Sequence, residues 1–387
     1  MVDFSLTEGD QRFLDLIQEE YELGRKFARE VDREAEHKPP VVKTLHPALE
    51  GKPDPYELLH ESDEGTSGHI MVDALMHMVS AKDLDMRPEG LGFGSMVLED
   101  FGTDEQKAKF GHLRLAIGLT EPGAGSDPGN MASTWRYDAA TDEYVLNGEK
   151  VFISAINKLD GAVTLLRGVP DEQGRRVFSS FIITKDMKGF HEMQQFQKLG
   201  MHQFDIAGFT MDDIRVPAIN RLEADFGRTM SRFNHNRPLV AAGALGLCRS
   251  MLDFTKAKLA EGGIEVDYAR GVKARSAAED KIIRMEALWE AAWGTVMEVK
   301  WKQTQLGTTS LGYRTEASMA KAIGGKAARQ ITQGCLELLG PEGLSEDYLA
   351  EKWFRDARIA DIYEGAGEIQ RILVARDVLG YKKGELN

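Results

Sequence analysis

The spacing of apolar residues in the second half of the chain predicts long helices. One run of such residues extends from Val240 to Phe254 and a second from Ile282 to Val299, both with steps of three and four positions. This repeat places apolar side chains on one face of a helix. Similar patterns predict a third helix from Thr315 to Leu339 and a fourth from about Glu368 to Val378. Four successive helices favour a helical bundle in this part of the chain.

The first part of the chain also favours helices, separated by loops. Residues 10–35 are rich in Glu, Arg, Leu and Ala and predict one long helix, which the residues of Thr7–Asp10 can cap. A stretch with several Pro and Gly residues follows over residues 37–68 and predicts loops around short helices. A further helix is predicted to begin at the capping box Thr103–Gln106. We therefore expect an N-terminal helical domain over residues 1–115.

The middle of the chain changes to β-type patterning. Two β-rich runs within Tyr144–Ile153 flank Asn147-Gly148, a pair that favours the type I′ turn of a hairpin because both positions accept positive φ. Further strands are predicted at Val177–Thr184 and Phe209–Val216. These features predict an antiparallel β-domain over residues 116–222.

Taken together, the patterns predict an α+β multidomain protein. The chain has 387 residues, enough for two or three domains at about 150 residues each. The predicted order is the N-terminal helical domain, the central antiparallel β-domain and a C-terminal four-helix bundle over residues 223–387. We find no internal repeat and no low-complexity segment.

Charge and composition exclude several classes of partner. The chain has 48 Lys and Arg against 62 Asp and Glu, a net charge of −14, which disfavours binding to nucleic acid or anionic membrane. Its two cysteines, Cys248 and Cys335, fall in predicted apolar helices. We therefore expect them to be free thiols, which favours a reducing compartment. The first residues lack the pattern of a signal peptide and no apolar run has membrane-spanning length. We expect a cytoplasmic protein.

A glycine-rich run marks the start of the predicted β-domain. Gly118–Asp127 contains three glycines and the hydroxyl groups of Thr120 and Ser126. Such a loop allows backbone N–H groups to approach an anion or the edge of a ring closely. A simple turn is the alternative interpretation. The run matches neither a Walker loop nor a dinucleotide fingerprint, since no Gly-Lys-Ser/Thr follows and no strand–turn–helix pattern surrounds it.

A second unusual stretch lies near the C-terminal end, within Arg355–Arg371. Glu364 stands there between Tyr363 and Gly365, just before a predicted helix. A poorly solvated carboxylate in such a place suits a general base. A carboxylate stabilised by the dipole of the helix N-terminus is the alternative. The histidines show no metal-ligand spacing, so we expect no metal site.

Considered together, these motifs resemble the acyl-CoA dehydrogenase family. The resemblance extends from Gly102 to Gly380 and depends on five motifs in the family's order. They are Gly102–Lys107, Thr120–Asp127, Asn147–Lys150, Phe233–Ala242 and Arg355–Gly365. The family's fold also follows the order of helices, β-domain and helices.

The resemblance implies an FAD enzyme that converts an acyl-CoA thioester into the 2-enoyl-CoA. Glu364 would remove the α-proton while the β-hydrogen leaves as hydride to flavin N5, and an electron-transfer flavoprotein would accept the electrons. The positions that match cofactor contacts are Leu119, Thr120, Gly125, Ser126, Phe152, Ile153, Ser154, Gly365, Ala366 and Glu368. Those that match substrate contacts are Ser126, Arg237, Tyr363 and Gly365. A salt bridge beneath the helix is an equally good explanation for Arg237.

Three departures from the family pattern suggest an unequal oligomer. The Arg-x-x-Phe-Gly loop that family members contribute to a neighbour's FAD has no counterpart in Glu261–Arg270. Glu337–Gly343 replaces Gln-x-x-Gly-Gly-x-Gly, with a carboxylate in place of the amide. Residues 37–100 lack the usual Gly-Gly-x-Gly segment and are shortened. We therefore hypothesise a heteromer in which a related chain lends the adenine-binding loop, with a wide pocket for a bulky substrate such as a steroid side-chain CoA ester.

Two other functions remain compatible with the same motifs. A flavin oxidase or monooxygenase on this fold would let oxygen reach the reduced flavin. A non-catalytic subunit would only complete a partner's site. The intact Glu364 motif and the glycine-rich loop favour the dehydrogenase over both.

Overall fold

A computed structural model describes residues 6–37, 70–83, 92–170, 174, 177–202, 204–307, 310–382 and 385. The N-terminal part contains helices α1 (Glu8–Arg25), α2 (Ala28–His37), α3 (Ile70–Asp83), α4 (Phe93–Phe101) and α5 (Asp104–Phe110). The single helix predicted over residues 10–35 is therefore two helices, separated by a turn at Lys26 and Phe27. The predicted loops after His37 and most of the shortened segment lie outside the described residues.

Both predicted capping boxes are confirmed. The backbone N–H of Thr7 donates to Asp10 Oδ2 at 2.9 Å, and the N–H of Asp10 donates to Thr7 Oγ1 at 3.1 Å. Thr103 and Gln106 exchange the same two bonds at the start of α5. The Gln106 amide also donates to the carbonyl oxygens of Ile219 and Arg221, each at 2.9 Å. This cap therefore also attaches α5 to the β-domain.

The middle of the chain forms one eight-stranded sheet. Its strands are β1 (Leu115–Gly118), β2 (Thr134–Asp138), β3 (Glu143–Ser154), β4 (Gly161–Arg167), β5 (Phe178–Thr184), β6 (Phe190–Glu192), β7 (Ile206–Val216) and β8 (Arg221–Leu222). They lie in the order β6-β7-β3-β2-β4-β5-β8, with β1 paired to β4. The sheet is mixed rather than purely antiparallel, because β1 and β2 both pair parallel to β4. The long connection between β1 and β4 permits the parallel pairing.

The predicted hairpin at Asn147-Gly148 is wrong. Both residues lie inside the continuous strand β3, and the pairing with β7 shifts register between Leu146 and Gly148. The Asn147 amide exchanges hydrogen bonds with Asp213, and Gly148 has a φ of 136°. A dipeptide that accepts unusual backbone angles therefore forms a β-bulge here instead of a turn.

The C-terminal part is a helical bundle, as predicted. Its helices are α6 (Phe226–Glu261), α7 (Ala277–Leu306), α8 (Arg314–Leu339), α9 (Ala350–Ala357) and α10 (Gly367–Leu379). The apolar faces recognised in the sequence meet in one core, where Met251, Ile282, Val296 and Ile331 are fully buried. Cys248 and Cys335 are free thiols buried in the same core, so they pack there as small apolar side chains.

Three parts of the chain meet at the end of α9. The backbone N–H of Met201, in the β-domain, donates to Asp356 Oδ1 at 2.6 Å. The neighbouring Arg355 donates from Nη2 to Asp32 of α2 at 2.7 Å, and Asp32 also lies 3.0 Å from His202 Nδ1. This junction, formed by Asp32, Met201, His202, Arg355 and Asp356, anchors the segment that leads to Glu364.

Two further properties concern the described part of the chain. None of its helices combines the length and the apolar character needed to span a bilayer. Nor does this part bring three or more His, Cys, Asp or Glu side chains into an arrangement that holds a metal ion.

Candidate active site

Glu364 lies on a tight turn between a short helical segment and α10. The segment Arg358–Asp361 ends just before it, and Glu364 and Gly365 then adopt φ angles of 56° and 96°. A non-glycine residue with positive φ is uncommon and often marks a functional site. The φ of Gly365 is one that other residues rarely adopt, and a Cβ there would also lie 2.2 Å from Nε2 of Gln370, so the turn favours glycine at this position.

Side chains from two helices hold this turn. The buried amide of Gln370 donates to the carbonyl oxygens of Glu364 and Gly365, at 3.3 and 3.2 Å. Arg237 Nε donates to the Glu364 carbonyl oxygen at 3.5 Å. The half-buried Glu364 carboxylate accepts from Asn236 Nδ2 at 3.4 Å. Asn236 and Gln370 were not predicted, since neither belongs to a local pattern that indicates contact with Glu364.

Arg237 precedes a proline inside α6, and neighbouring polar side chains hold it. Pro238 has no N–H to donate to the Asn234 carbonyl, one helical turn earlier, and Gln303 Nε2 of α7 approaches that carbonyl at 3.4 Å instead. The buried Arg237 guanidinium donates to Asn234 Oδ1 at 2.7 Å and to Ser318 Oγ at 3.4 Å. Burial lowers the pKa of Arg237, and the Glu364 carboxylate opposes that effect. Arg237 is therefore a charged support beneath the Glu364 turn.

The glycine-rich run is attached to β3 of the sheet. The Val151 N–H donates to the Thr120 carbonyl oxygen at 2.9 Å. Glu121, buried beneath the run, accepts from the backbone N–H groups of Ala132 and Ser133 at 2.5 and 3.1 Å. Its carboxylate also pairs with the fully buried ammonium of Lys150. Leu119 and Thr120 are half-buried, and their backbone is therefore fixed from below.

The end of β3 presents a second surface beside this run. Phe152 has a φ of 57° and is 60% exposed, and its ring centroid lies 4.8 Å from that of Phe196. Ser154 is exposed, whereas the Ile153 side chain is buried in the core of the β-domain. Only the backbone of Ile153 can therefore face a ligand.

The predicted site residues thus lie in two groups on different domains. Leu119, Thr120, Gly125, Ser126, Phe152, Ile153 and Ser154 belong to the β-domain group. Arg237, Tyr363, Glu364, Gly365, Ala366 and Glu368 belong to the bundle group. Ala366 caps α10, and Glu368 is exposed in its first turn, 3.6 Å from Arg371.

The β-domain group fits a flavin. Among the described residues, a Cβ on Gly123 or Gly125 would meet no atom within 4 Å apart from its chain neighbours, so the exposed loop leaves open space above its backbone. The exposed ring of Phe152 offers a flat apolar surface, and Thr120, Ser126 and Ser154 offer hydroxyl groups. Flat apolar contacts combined with a few polar groups are typical of cofactor sites.

Glu337, which stands where the family pattern has a glutamine, has a local partner. Its carboxylate forms an ion pair with Lys281 of α7 and accepts from Gln333 Nε2 at 3.0 Å. These contacts lower the pKa of Glu337, first of all through Lys281. A carboxylate that is already paired repels an approaching phosphate less than a bare one does.

The helix–sheet–helix architecture is that of a class of flavin-dependent oxidoreductases. The chain belongs to the acyl-CoA dehydrogenase family: the family's middle-domain model matches residues 116–214 and its C-terminal domain model matches residues 226–379. Members of this family are oxidoreductases that act on the CH–CH group of acyl-CoA.

Individual relatives agree with this assignment. The chain is 33% identical over 293 residues to an acyl-CoA dehydrogenase of Bacillus subtilis (strain 168), over 72% of this chain and 74% of the relative. It is 30% identical over 289 residues to acryloyl-CoA reductase (NADH) of Anaerotignum propionicum, over 72% and 71% of the two chains. The structure of butyryl-CoA dehydrogenase from Megasphaera elsdenii superimposes with a TM-score of 0.78 at 25% identity, over 97% of this chain and 100% of that one.

The cofactor is FAD. An FAD complex of PigA has the same fold, with a TM-score of 0.74 at 20% identity over 98% of this chain and 100% of that one. The family assignment and the fit of the β-domain group agree with FAD.

Proposed function

We propose that this chain converts an acyl-CoA thioester into the 2-enoyl-CoA, with Glu364 as the base that removes the α-proton. The observation that carries the proposal is the turn at Glu364. Its carboxylate is half-buried, its backbone has positive φ, and Asn236, Arg237 and Gln370 hold it from two helices. A base held in this way loses little freedom when it meets its substrate.

The reaction removes two hydrogens from adjacent carbons. The Glu364 carboxylate accepts the α-proton, and the electron pair of that C–H bond forms the new double bond. FAD, when bound, would supply the acceptor for the hydride that leaves the β-carbon. The backbone N–H of Glu364 is the proposed donor to the thioester carbonyl, which makes the α-hydrogen acidic. Arg237 and Gln370 keep that backbone in place.

The cofactor and substrate contacts are part of the same proposal. Leu119, Thr120, Phe152, Ser154 and the backbone of Ile153 would border the flavin ring, with Gly125 and Ser126 near the phosphates. Gly365, Ala366 and Glu368 would border the cofactor from the bundle. Ser126, Arg237, Tyr363 and Gly365 would border the acyl-CoA.

Flavin absorption provides the test. The purified protein is mixed without oxygen with a panel of acyl-CoAs of different chain length and branching, and the visible flavin spectrum is recorded. We expect bleaching with at least one acyl-CoA and none with Glu364→Gln. Glu346→Gln is the matched control, since this carboxylate is on the surface, where it pairs with Arg33. Bleaching by Glu364→Gln at the normal rate would show that another group is the base.

The same assay tests the direction of the reaction and its electron partner. Because one relative is named as an NADH-dependent reductase, 2-enoyl-CoA with NADH is included as a second substrate pair. Electron-transfer flavoprotein is the proposed acceptor, and its reduction after acyl-CoA addition checks this. Rapid reoxidation by oxygen alone would instead favour an oxidase.

The proposed assembly is an oligomer with a related chain. It is supported by the absent Arg-x-x-Phe-Gly motif in Glu261–Arg270. The chain purified alone is therefore expected to hold less than one FAD per chain. Co-expression with a homologue is expected to raise this occupancy. A homo-oligomer with full, tight FAD occupancy would contradict the heteromer. If the flavin of the complex is still bleached by acyl-CoA after Glu364→Gln in this chain, the chain has a non-catalytic role.

A further inference from the structure

A buried lysine lies behind the Glu364 turn and has no part in the mechanism described so far. Lys321, on α8, is 0% exposed. Among the described residues, its ammonium has no hydrogen-bond acceptor. It lies 6.0 Å from the centroid of the Tyr363 ring, within the range of a cation–π interaction. Burying a charged group without a compensating charge is costly, so Lys321 needs a counter-ion.

Glu364 is the carboxylate that acts most strongly on Lys321. Burial lowers the pKa of Lys321 to about 8, and Glu364 opposes that change more than any other charge. Asp361 and Glu368 oppose it less, and Arg237 reinforces it. For the buried Arg237 as well, Glu364 is the charge that favours the ionised form. Two buried cations, from α6 and α8, therefore share one carboxylate.

The other two carboxylates near Lys321 have cations of their own. Asp361 Oδ2 lies 2.8 Å from Nε of Arg329, and Glu368 Oε1 lies 3.6 Å from Nη1 of Arg371. By comparison, the equally buried Lys300 on α7 lies 3.4 Å from the carboxylate of Asp73, which also pairs with His77. Lys321 is thus a buried cation whose strongest partner is the proposed base.

We infer that Lys321 is a positioning residue for the proton-removing step: its ammonium, behind the Tyr363 ring, keeps Glu364 ionised and ready to accept a proton. The inference depends on the proposed role of Glu364. The other charged groups that act on Lys321 or Arg237 are Asp361 from the segment before Glu364, Glu368 from α10 and Arg314 from α8. Anions disfavour an ionised Glu364, and the two buried cations oppose them.

The test is the pH profile of flavin reduction by acyl-CoA in the FAD-loaded protein. Lys321→Met keeps the length of the side chain but removes its charge, and apolar replacement of a buried charge is often tolerated. Without the cation, Glu364 binds a proton more readily, so the acidic limb of the profile should move to higher pH, by about one unit. Well above that limb, the rate should be close to that of the wild type. Lys321→Arg should restore the limb.

Lys300→Met is the matched control. It removes a buried lysine ammonium whose pKa burial also lowers to about 8, but whose partner is Asp73. The acidic limb should stay in place in this variant even if stability falls. A loss of rate by the same factor at every pH in Lys321→Met, with an unmoved limb, would overturn the inference.

A second measurement does not depend on activity. In a double-mutant cycle of thermal unfolding, Lys321→Met and Glu364→Gln should be non-additive, because each removes the counter-ion of the other. Additive shifts would overturn the inference. If flavin bleaching persists in Glu364→Gln, the proposal that Glu364 is the base is wrong. The double-mutant cycle would then still show whether Lys321 and Glu364 are coupled. If Lys321→Met does not fold, Lys321→Gln takes its place in both measurements.

Discussion

The ammonium of Lys150 lies 2.7 Å from Oε1 of Glu121 and 3.1 Å from the carbonyl oxygen of Leu119. Lys150 is fully buried and Glu121 is 5% exposed. This ion pair therefore connects the underside of the glycine-rich run to β3. The run carries the residues proposed to border the flavin, so the pair couples the stability of the β-domain to cofactor binding.

Breaking this pair should destabilise the protein and release FAD. Lys150→Met leaves the Glu121 carboxylate buried without its cation, which typically costs about 3–5 kcal/mol. Denaturant unfolding and the flavin content after purification measure the two effects. Lys150→Met/Glu121→Gln should recover part of the stability, because no buried charge is left. Lys258→Met, which removes a surface pair with Glu261, should change neither quantity appreciably. An equal loss in the single and double variants would contradict this account.

Stability should depend on pH through His202. The hydrogen bond with Asp32 raises the pKa of His202 above its ordinary 6.5. Folding therefore favours the protonated form of His202. Its contribution to the stability of the folded protein is complete below pH 6.5 and is lost as the pH rises through the raised pKa of His202. The midpoint of thermal unfolding is recorded at a series of pH values from below 6.5 upwards. As the pH rises, it should fall less steeply in His202→Gln than in the wild type. His191→Gln, at an exposed histidine, should keep the wild-type slope, and the same slope in all three proteins would contradict the prediction.

Two glycine-to-alanine changes should have opposite effects on stability. A Cβ on Gly148 would lie 2.2 Å from Oγ and 2.6 Å from Cα of Ser133, at a φ of 136°, so Gly148→Ala should destabilise by about 2 kcal/mol or more. In the described part of the chain, a Cβ on Gly294 of α7 would meet no atom within 4 Å apart from the backbone of its own helix. Gly294→Ala should stabilise by about 0.5–1 kcal/mol. Denaturant unfolding checks both, and a harmless Gly148→Ala would show that the bulge can relax.

Removing the amide of Gln370 should slow the reaction more than it weakens cofactor binding. Gln370→Leu keeps most of the volume but deletes the two hydrogen bonds to the Glu364 and Gly365 carbonyls. A loosened base should reduce the rate of flavin bleaching at least tenfold, or about 1.4 kcal/mol. FAD content should stay unchanged. An unchanged rate would mean that Arg237 alone is sufficient to hold the turn.

Helices and strands were predictable here where burial follows a simple period. Both helices formed as expected: the run from Ile282 to Val299 buries one face, whereas the helix that contains Val240 is buried on all sides from Leu239 to Cys248. The prediction of a hairpin at Asn147-Gly148 was wrong because residues with this backbone freedom occur both in hairpin turns and in β-bulges. The choice depends on Asp213 and Ser133, which contact the dipeptide only in the folded sheet.

The site was predictable only where its residues cluster along the chain. Glu364 stands out because Tyr363 and Gly365 flank it. Lys321 looks like any lysine of an amphipathic helix, and only the packing of α8 against the Glu364 segment shows that it is buried. Gln370 is likewise unremarkable in sequence, since its contacts follow from the curvature of a turn with two positive φ angles.

The junction between α2, the β-domain and α9 makes activity conditional on complete folding. Asp356, which accepts from the Met201 N–H, precedes Glu364 by eight residues, and Arg355 holds Asp32 from the other side. A chain in which either neighbour has come away loses the anchor of the segment that carries the base. Under the proposed mechanism, a half-folded molecule would carry Glu364 without the geometry needed to remove a proton, and activity would require that all three parts have docked.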